Sequence, residues 1–191
     1  MTIAALKEGL RKEALERRLA LKGSVATLSA RIAENFIARI PIPAGAIVSA
    51  YVAIGDEADP APLIDGLRAR GHRIVLPRVV GRGKPLDFHL LEPGAKLVPG
   101  GFGLSEPPRD WPILDPDVLA VPLLAFDAQG YRIGYGAGFY DRTLSRLRAA
   151  RHVLAAGYCF SIQEVVAVPH DEKDEPLDWS VTETGAHRFE R

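Results

Sequence analysis

Gly134, Gly136 and Gly138 alternate with Tyr135 and Ala137 inside the segment FDAQGYRIGYGAGFYDRTL, residues 126–144. Glycines at this spacing let backbone N–H groups approach a ligand closely, and amide donors crowded into a turn suit a phosphate. Arg132 and Arg142 flank the loop and could pair with phosphate oxygens. Asp141 follows at once. A carboxylate beside a phosphate repels it unless a hard cation stands between them, and Mg2+ prefers oxygen ligands. Plainer readings exist for the same residues. A glycine-rich turn is often only a tight turn, and an aspartate in a first helical turn complements the helix dipole. Two known loops are excluded. A Walker A loop needs Gly-Lys-Ser/Thr after its second glycine, and a dinucleotide fingerprint needs a glycine where this chain has Phe139.

The elements around the loop decide what it faces. VLAVPLLAF (118–126) is apolar almost throughout, as in a strand buried on both faces, and residues 139–150 read as a helix. The loop at 130–138 therefore lies beyond the C-terminal end of a strand, where open α/β sheets bind ligands. Upstream, AIVSAYV (46–52) reads as a strand, and 60–71 as a helix ended by Gly71. Strands follow at 73–79 and 86–91, then a Gly- and Pro-rich ordered loop at 92–116. HVLAAGYC (152–159) is a further strand, and the tail after Pro169 is acidic and irregular, with a short strand near 179–182. Two helices open the chain, at 3–22 and at 24–40. In the second, Ser24 is a candidate cap and Leu28, Ile32, Phe36 and Ile40 repeat at i+4. The alternation predicts one three-layer α/β/α domain, residues 1–191, with a largely parallel open sheet.

The first helix carries a charged stripe. At about 100° per residue, Lys7, Arg11, Arg18 and Lys22 fall within roughly 60° of one another. Ile3, Leu10 and Leu21 lie beside them, so one edge packs while the next presents cations or simply meets solvent. Lys+Arg and Asp+Glu both number 24 among 191 residues, which argues against a general nucleic-acid binder. The single cysteine, Cys159, excludes an intrachain disulfide, and it sits in a predicted strand. The five histidines are scattered without metal-ligand spacing. No stretch approaches the ~20 apolar residues of a membrane span, and the charged N-terminal segment reads as neither signal peptide nor anchor. A cytoplasmic location is the expectation.

The loop resembles the signature of the 5-formyltetrahydrofolate cyclo-ligase family, R-x-G-x-G-x-G-[YF]-Y-D, matched by Arg132 through Asp141. Further segments of that family are matched in order. They are Lys7 and Arg11, Gly55-Asp56-Glu57 after Tyr51-Val52, and Leu76-Pro77-Arg78, followed by Gly103-Leu104-Ser105-Glu106-Pro107 and Pro169-His170-Asp171. The resemblance implies an open α/β/α fold. It also implies ATP bound by Lys7, Arg11 and the loop Arg132, Ile133, Gly134, Tyr135, Gly136, Ala137, Gly138, Phe139 and Tyr140. Mg2+ would fall to Asp141 and Asp171, with Asp174 a near-equivalent competitor for the role of Asp171. The folate would be held by Val52, Glu57 and residues Tyr135 to Phe139, with Phe88, Trp111 and Tyr140 available to pack on its rings.

The implied reaction turns 5-formyltetrahydrofolate and ATP into 5,10-methenyltetrahydrofolate, ADP and phosphate. The substrate supplies its own nucleophile, which agrees with the lack of any Ser/His/Asp or Cys/His arrangement, so no side chain is assigned as nucleophile or base. No nucleic acid, membrane or obligatory protein partner is implied. Many family members carry basic residues at the positions of Tyr135 and Ala137. This chain does not, so Arg132, Arg142, Lys7 and Arg11 are expected to compensate. The competing readings are another enzyme on a similar scaffold, such as a sugar-phosphate isomerase or an acyl-transferase, and a binding protein without turnover.

Overall fold

Seven strands form one sheet in the order β11-β10-β9-β6-β1-β2-β3 in the computed structural model, which describes residues 2–101 and 105–190. The strands are β1 (Ile47–Ser49), β2 (Arg73–Arg78), β3 (Asp87–Leu90), β6 (Val118–Val121), β9 (Leu154–Tyr158), β10 (Trp179–Thr182) and β11 (Gly185–Arg188). The five from β10 to β2 run parallel, and the edge strands β3 and β11 pair antiparallel with their neighbours. Two short ladders stand apart, β4 (Val98–Pro99) with β5 (Ser105–Glu106), and β7 (Ala125–Phe126) with β8 (Arg132–Ile133). Gly103 and Leu104 of the Gly-x-x-Glu-Pro segment lie outside the described residues.

The central strands read as continuous apolar runs because both faces are covered. Val118 and Ala120 of β6 face a cluster built with Ile32, Ala33 and Phe36 of α2 (Val25–Arg39) and Leu63 and Leu67 of α3 (Ala61–Arg68). Leu119 and Val121 face the opposite cluster, closed by Leu144 and Leu147 of α4 (Phe139–Ala150). One step along the strand changes the layer, as the period of two requires. Tyr158 on β9 ties two elements together at the first face: its buried hydroxyl bonds the carbonyls of Ser29 in α2 at 3.0 Å and Asp59 before α3 at 3.3 Å. Tyr158→Phe should therefore cost about 1–2 kcal/mol. A lower urea midpoint at unchanged slope would show it; an unchanged midpoint would deny the hydroxyl any net role.

α1 (Ile3–Leu19) belongs to neither layer. Its Leu10 and Ala14 pack on Leu124, Ala125, Ile133 and Val168, so it lies across the β7–β8 hairpin beyond the C-terminal ends of the strands. It ends three residues before the sequence suggested, in tight turns through Lys22. The predicted strand 118–126 is two strands, because Pro122 has no N–H to offer a neighbouring strand. β8 and β11 lie where sequence reading put loop and tail.

Candidate active site

The sheet order reverses between β1 and β6: from β1 the chain moves outward to β2, and from β6 it moves the other way to β9 and β10. The crevice at such a reversal is where two loops part and leave room for a ligand. The loop leaving β1 carries Tyr51, Val52 and Glu57. The chain leaving β6 makes the hairpin and then the glycine loop, which enters α4. The fold alone thus brings together two candidate segments that lie far apart in the chain.

α1 roofs this crevice with its cationic stripe. Arg11 donates from Nε to the carbonyl of Gly134 at 2.9 Å. Its guanidinium covers Gly136 so closely that a β-carbon there would lie 3.1 Å from the guanidinium carbon, and φ is +95°. Only glycine satisfies both conditions. Gly138 caps α4 in the left-handed region at φ +65°, with Arg142 against the space a β-carbon would take. The amides of residues 135–138 reach no acceptor among the described residues. They and the helix terminus form an anion-attracting concavity. Lys7 pairs with Asp174 at 2.5 Å and lies 4.0 Å from Asp171. Asp174 Oδ2 also accepts the Asp171 amide, so the acidic turn is folded around the lysine.

The two arginines expected to flank a phosphate are otherwise engaged. Arg132, almost fully buried, donates to the Glu175 carbonyl and to Asp141 Oδ1 at 2.9 Å. Arg142 turns to the carbonyls of Ala137 and Lys84 and lies over the Phe139 ring. Asp141 Oδ1 accepts from the Glu175 amide as well, at 3.2 Å, which leaves Oδ2 without a donor among the described residues. Asp141 and the 171–175 turn are therefore neighbours. They form no cluster of three metal-ligating side chains among the described residues. Mg2+ usually takes one or two protein carboxylates and fills its shell with water and substrate phosphate, so this donor set fits that ion.

Glu57 occupies the other wall. It is 4% exposed, and Oε2 accepts the Ile54 amide at 2.8 Å. Burial raises its pKa, and the Ile54 amide, Arg18 and the Tyr135 hydroxyl only partly oppose that. Arg18, 2% exposed, enters from α1 and donates to the Tyr135 hydroxyl at 3.0 Å. Its nearest carboxylate oxygens are on Asp56 at 3.5 Å and Glu57 at 4.0 Å, the latter beyond hydrogen-bond reach. Among the described residues, five buried side-chain polar atoms have no partner, and four are here: Arg18 Nε and Nη1, Glu57 Oε1 and the Tyr140 hydroxyl. Buried polar atoms are normally satisfied. A group of orphans on facing elements marks a place shaped for a polar ligand.

The structure brings Lys7, Arg11, Glu57, the 132–140 loop, Asp141 and Asp171 near one another, whereas Val52 packs against the core cluster on the α2 side of the sheet. Arg18 is the residue sequence reading did not assign. Its place in the stripe with Lys7 and Arg11, at a spacing of seven from Arg11, was the signal that could have found it. Phe88 is a correction: it is wholly buried in the sheet core and has no face to offer a ring. Trp111 lies beside the β3 edge, where its carbonyl bonds His89 Nδ1 at 2.9 Å. Cys159 is core as expected, and burial pushes its thiol well up, so it is no thiolate nucleophile.

Fold and site together define an open, doubly wound α/β protein with cations and unpaired loop amides gathered at its switch point. Comparison with known proteins refines that class. The sequence profile of the 5-formyltetrahydrofolate cyclo-ligase family matches residues 3–183. A 5-formyltetrahydrofolate cyclo-ligase of Mycolicibacterium smegmatis is 37% identical over 174 residues, 86% of this chain and 89% of that protein. The Escherichia coli K12 protein of the same name is 35% identical over 150 residues, 74% of this chain and 80% of that one. The NMR structure of Aquifex aeolicus 5,10-methenyltetrahydrofolate synthetase superposes with a TM-score of 0.80 at 31% identity, covering 97% of this chain and 94% of that one. The chain belongs to the 5-formyltetrahydrofolate cyclo-ligase family. No described helix is long and apolar enough to cross a membrane.

Proposed function

We propose that the chain, acting as a single domain in the cytoplasm, uses ATP to close 5-formyltetrahydrofolate to 5,10-methenyltetrahydrofolate, releasing ADP and phosphate. The observation that carries this reading is the pairing of two unlike subsites in one crevice. One offers free loop amides for a triphosphate, beside Lys7 and Arg11, which here pair with Asp174, Glu8 and the Gly134 carbonyl. The other offers a buried carboxylate oxygen with nothing to accept. The amino-pyrimidine edge of a pterin presents N–H donors that suit such an oxygen.

Lys7, Arg11 and the amides of the 134–138 turn hold the phosphates, and Glu57, Val52 and the Tyr135–Phe139 face hold the folate. The formyl oxygen attacks the γ-phosphorus, the bond to the departing ADP oxygen breaks, and the formyl carbon becomes an iminium phosphate. N10 then bonds to that carbon and loses its proton, and phosphate leaves as the five-membered ring closes. The protein's part is positioning and charge compensation, the main resources in phosphoryl transfer. Asp141 and Asp171 are the residues to hold Mg2+, which when bound neutralises phosphate charge. The roof that α1 makes over the crevice keeps water from the activated carbon, where it would only regenerate the formyl group.

ADP release that depends on 5-formyltetrahydrofolate tests the reading; ATP turnover indifferent to the folate, or none, would sink it. The subsites are also separable. Lys7→Met should raise KM for ATP by at least about tenfold, since a charged hydrogen bond is worth ~1.5–3 kcal/mol. KM for the folate should hardly move, and equal changes in both would count against the assignment.

A further inference from the structure

We propose that Arg18 reads the pterin: its buried guanidinium donates to the 4-oxo group beside Glu57, so that the two side chains together match the edge of the ring. This rests on the folate reading of the crevice. The pterin edge presents two kinds of group, N–H donors at the 2-amino and N3 positions and an acceptor at the 4-oxo. Glu57 serves only the donors. A guanidinium next to it serves the acceptor, and Arg18 has the donors to spare.

The geometry distinguishes this role from a structural tie. An arginine that pinned α1 to the 55–57 turn would reach a carboxylate at close range. Instead Nη2 stands 3.5 Å from Asp56 Oδ1, longer than a close charged pair, and Nη1 stops 4.0 Å from Glu57 Oε1, where both atoms lack a hydrogen-bond partner. Nε is unpartnered as well, although the residue is 2% exposed. A buried cation with two unsatisfied nitrogens is costly, and a ligand carbonyl relieves that cost. The one hydrogen bond Arg18 makes among the described residues, to the Tyr135 hydroxyl, fixes its position against the glycine loop without using those nitrogens. Tyr135 itself is 48% exposed, so the residue that fixes Arg18 stands at the surface beside the pair.

The test uses the full chain, Arg18→Gln and Arg18→Lys, with calorimetric affinities measured without ATP. Two probes are compared: 5-formyltetrahydrofolate, and a 5-formyltetrahydropterin lacking the aminobenzoylglutamate tail. Arg18→Gln should weaken both by the same factor, about tenfold or more, with KM for ATP within about twofold of the parent. Arg18→Lys, which keeps the charge but loses the planar fork, should fall between. A loss confined to the whole folate would place Arg18 on the glutamate carboxylates and overturn the proposal. So would a loss confined to ATP, or unchanged affinity for both probes. If Arg18→Gln is too unstable to assay, Arg18→Lys decides: pterin affinity equal to the parent's overturns the proposal. A parent chain that binds neither probe and forms no product defeats the proposed activity itself. A parent that turns over while the variants bind normally defeats only the role of Arg18.

Discussion

Asp141→Asn should lower kcat by on the order of a hundredfold or more while the protein stays folded. The substitution is close to isosteric, and its amide oxygen can still accept from Arg132 and from the Glu175 amide, the two donors now held by Oδ1. What disappears is the charge and the second oxygen, the one that meets no donor among the described residues. Some stability should go too, because Arg132 is nearly buried and loses its counter-charge. A thermal midpoint separates that from the catalytic loss. Full activity at ordinary Mg2+ would remove Asp141 from the metal assignment.

Glu57→Gln should act on the other substrate. Gln keeps an acceptor for the Ile54 amide and puts an NH2 where Oε1 now waits for donors. Donor then faces donor, and one buried polar group is left unsatisfied. KM for 5-formyltetrahydrofolate should rise by about ten- to a hundredfold, with KM for ATP unchanged. The charge of Glu57 also gives a pH dependence. Burial lifts its pKa above the ordinary glutamate value of 4.5, because it penalises the charged form. The carboxylate that accepts from the pterin is present above the raised pKa and is protonated below it. Folate affinity should therefore fall with pH earlier than an exposed glutamate would allow, and that fall should be missing in Glu57→Gln. A parent profile flat from neutral to mildly acidic pH would contradict the role.

Much of this site was legible in the sequence because its parts are local. The alternating glycines, the strand before them and the helix after them form one continuous segment, and the structure keeps α4 at residues 139–150 as the pattern indicated. Buried central strands were legible for the same reason: unbroken apolar runs have few other uses. What failed was non-local. Nothing near Arg132 in sequence says that it will turn inward to Asp141 and the Glu175 carbonyl. The two arginines expected to compensate for an uncharged loop are both occupied by protein groups. Equally non-local is Arg18, which reaches the Tyr135 hydroxyl of the loop from a helix more than a hundred residues away in the chain. Phe88 misled in the opposite way. A lone aromatic in a short strand looks equally suited to a ligand and to the core, and only the packing of β2, β3 and α4 decides. β11 escaped because GAHR lacks the apolar alternation of a strand and owes its state to pairing with β10.

The central claim is ring closure driven by ATP, and absorbance at the methenyl-folate band tests it most directly. Purified protein would be given 5-formyltetrahydrofolate and Mg2+, with and without ATP. The expected result is a steady rise with ATP and a flat trace without it. A flat trace in both, from folded protein and intact substrate, would contradict the account and leave a crevice that binds without turning over.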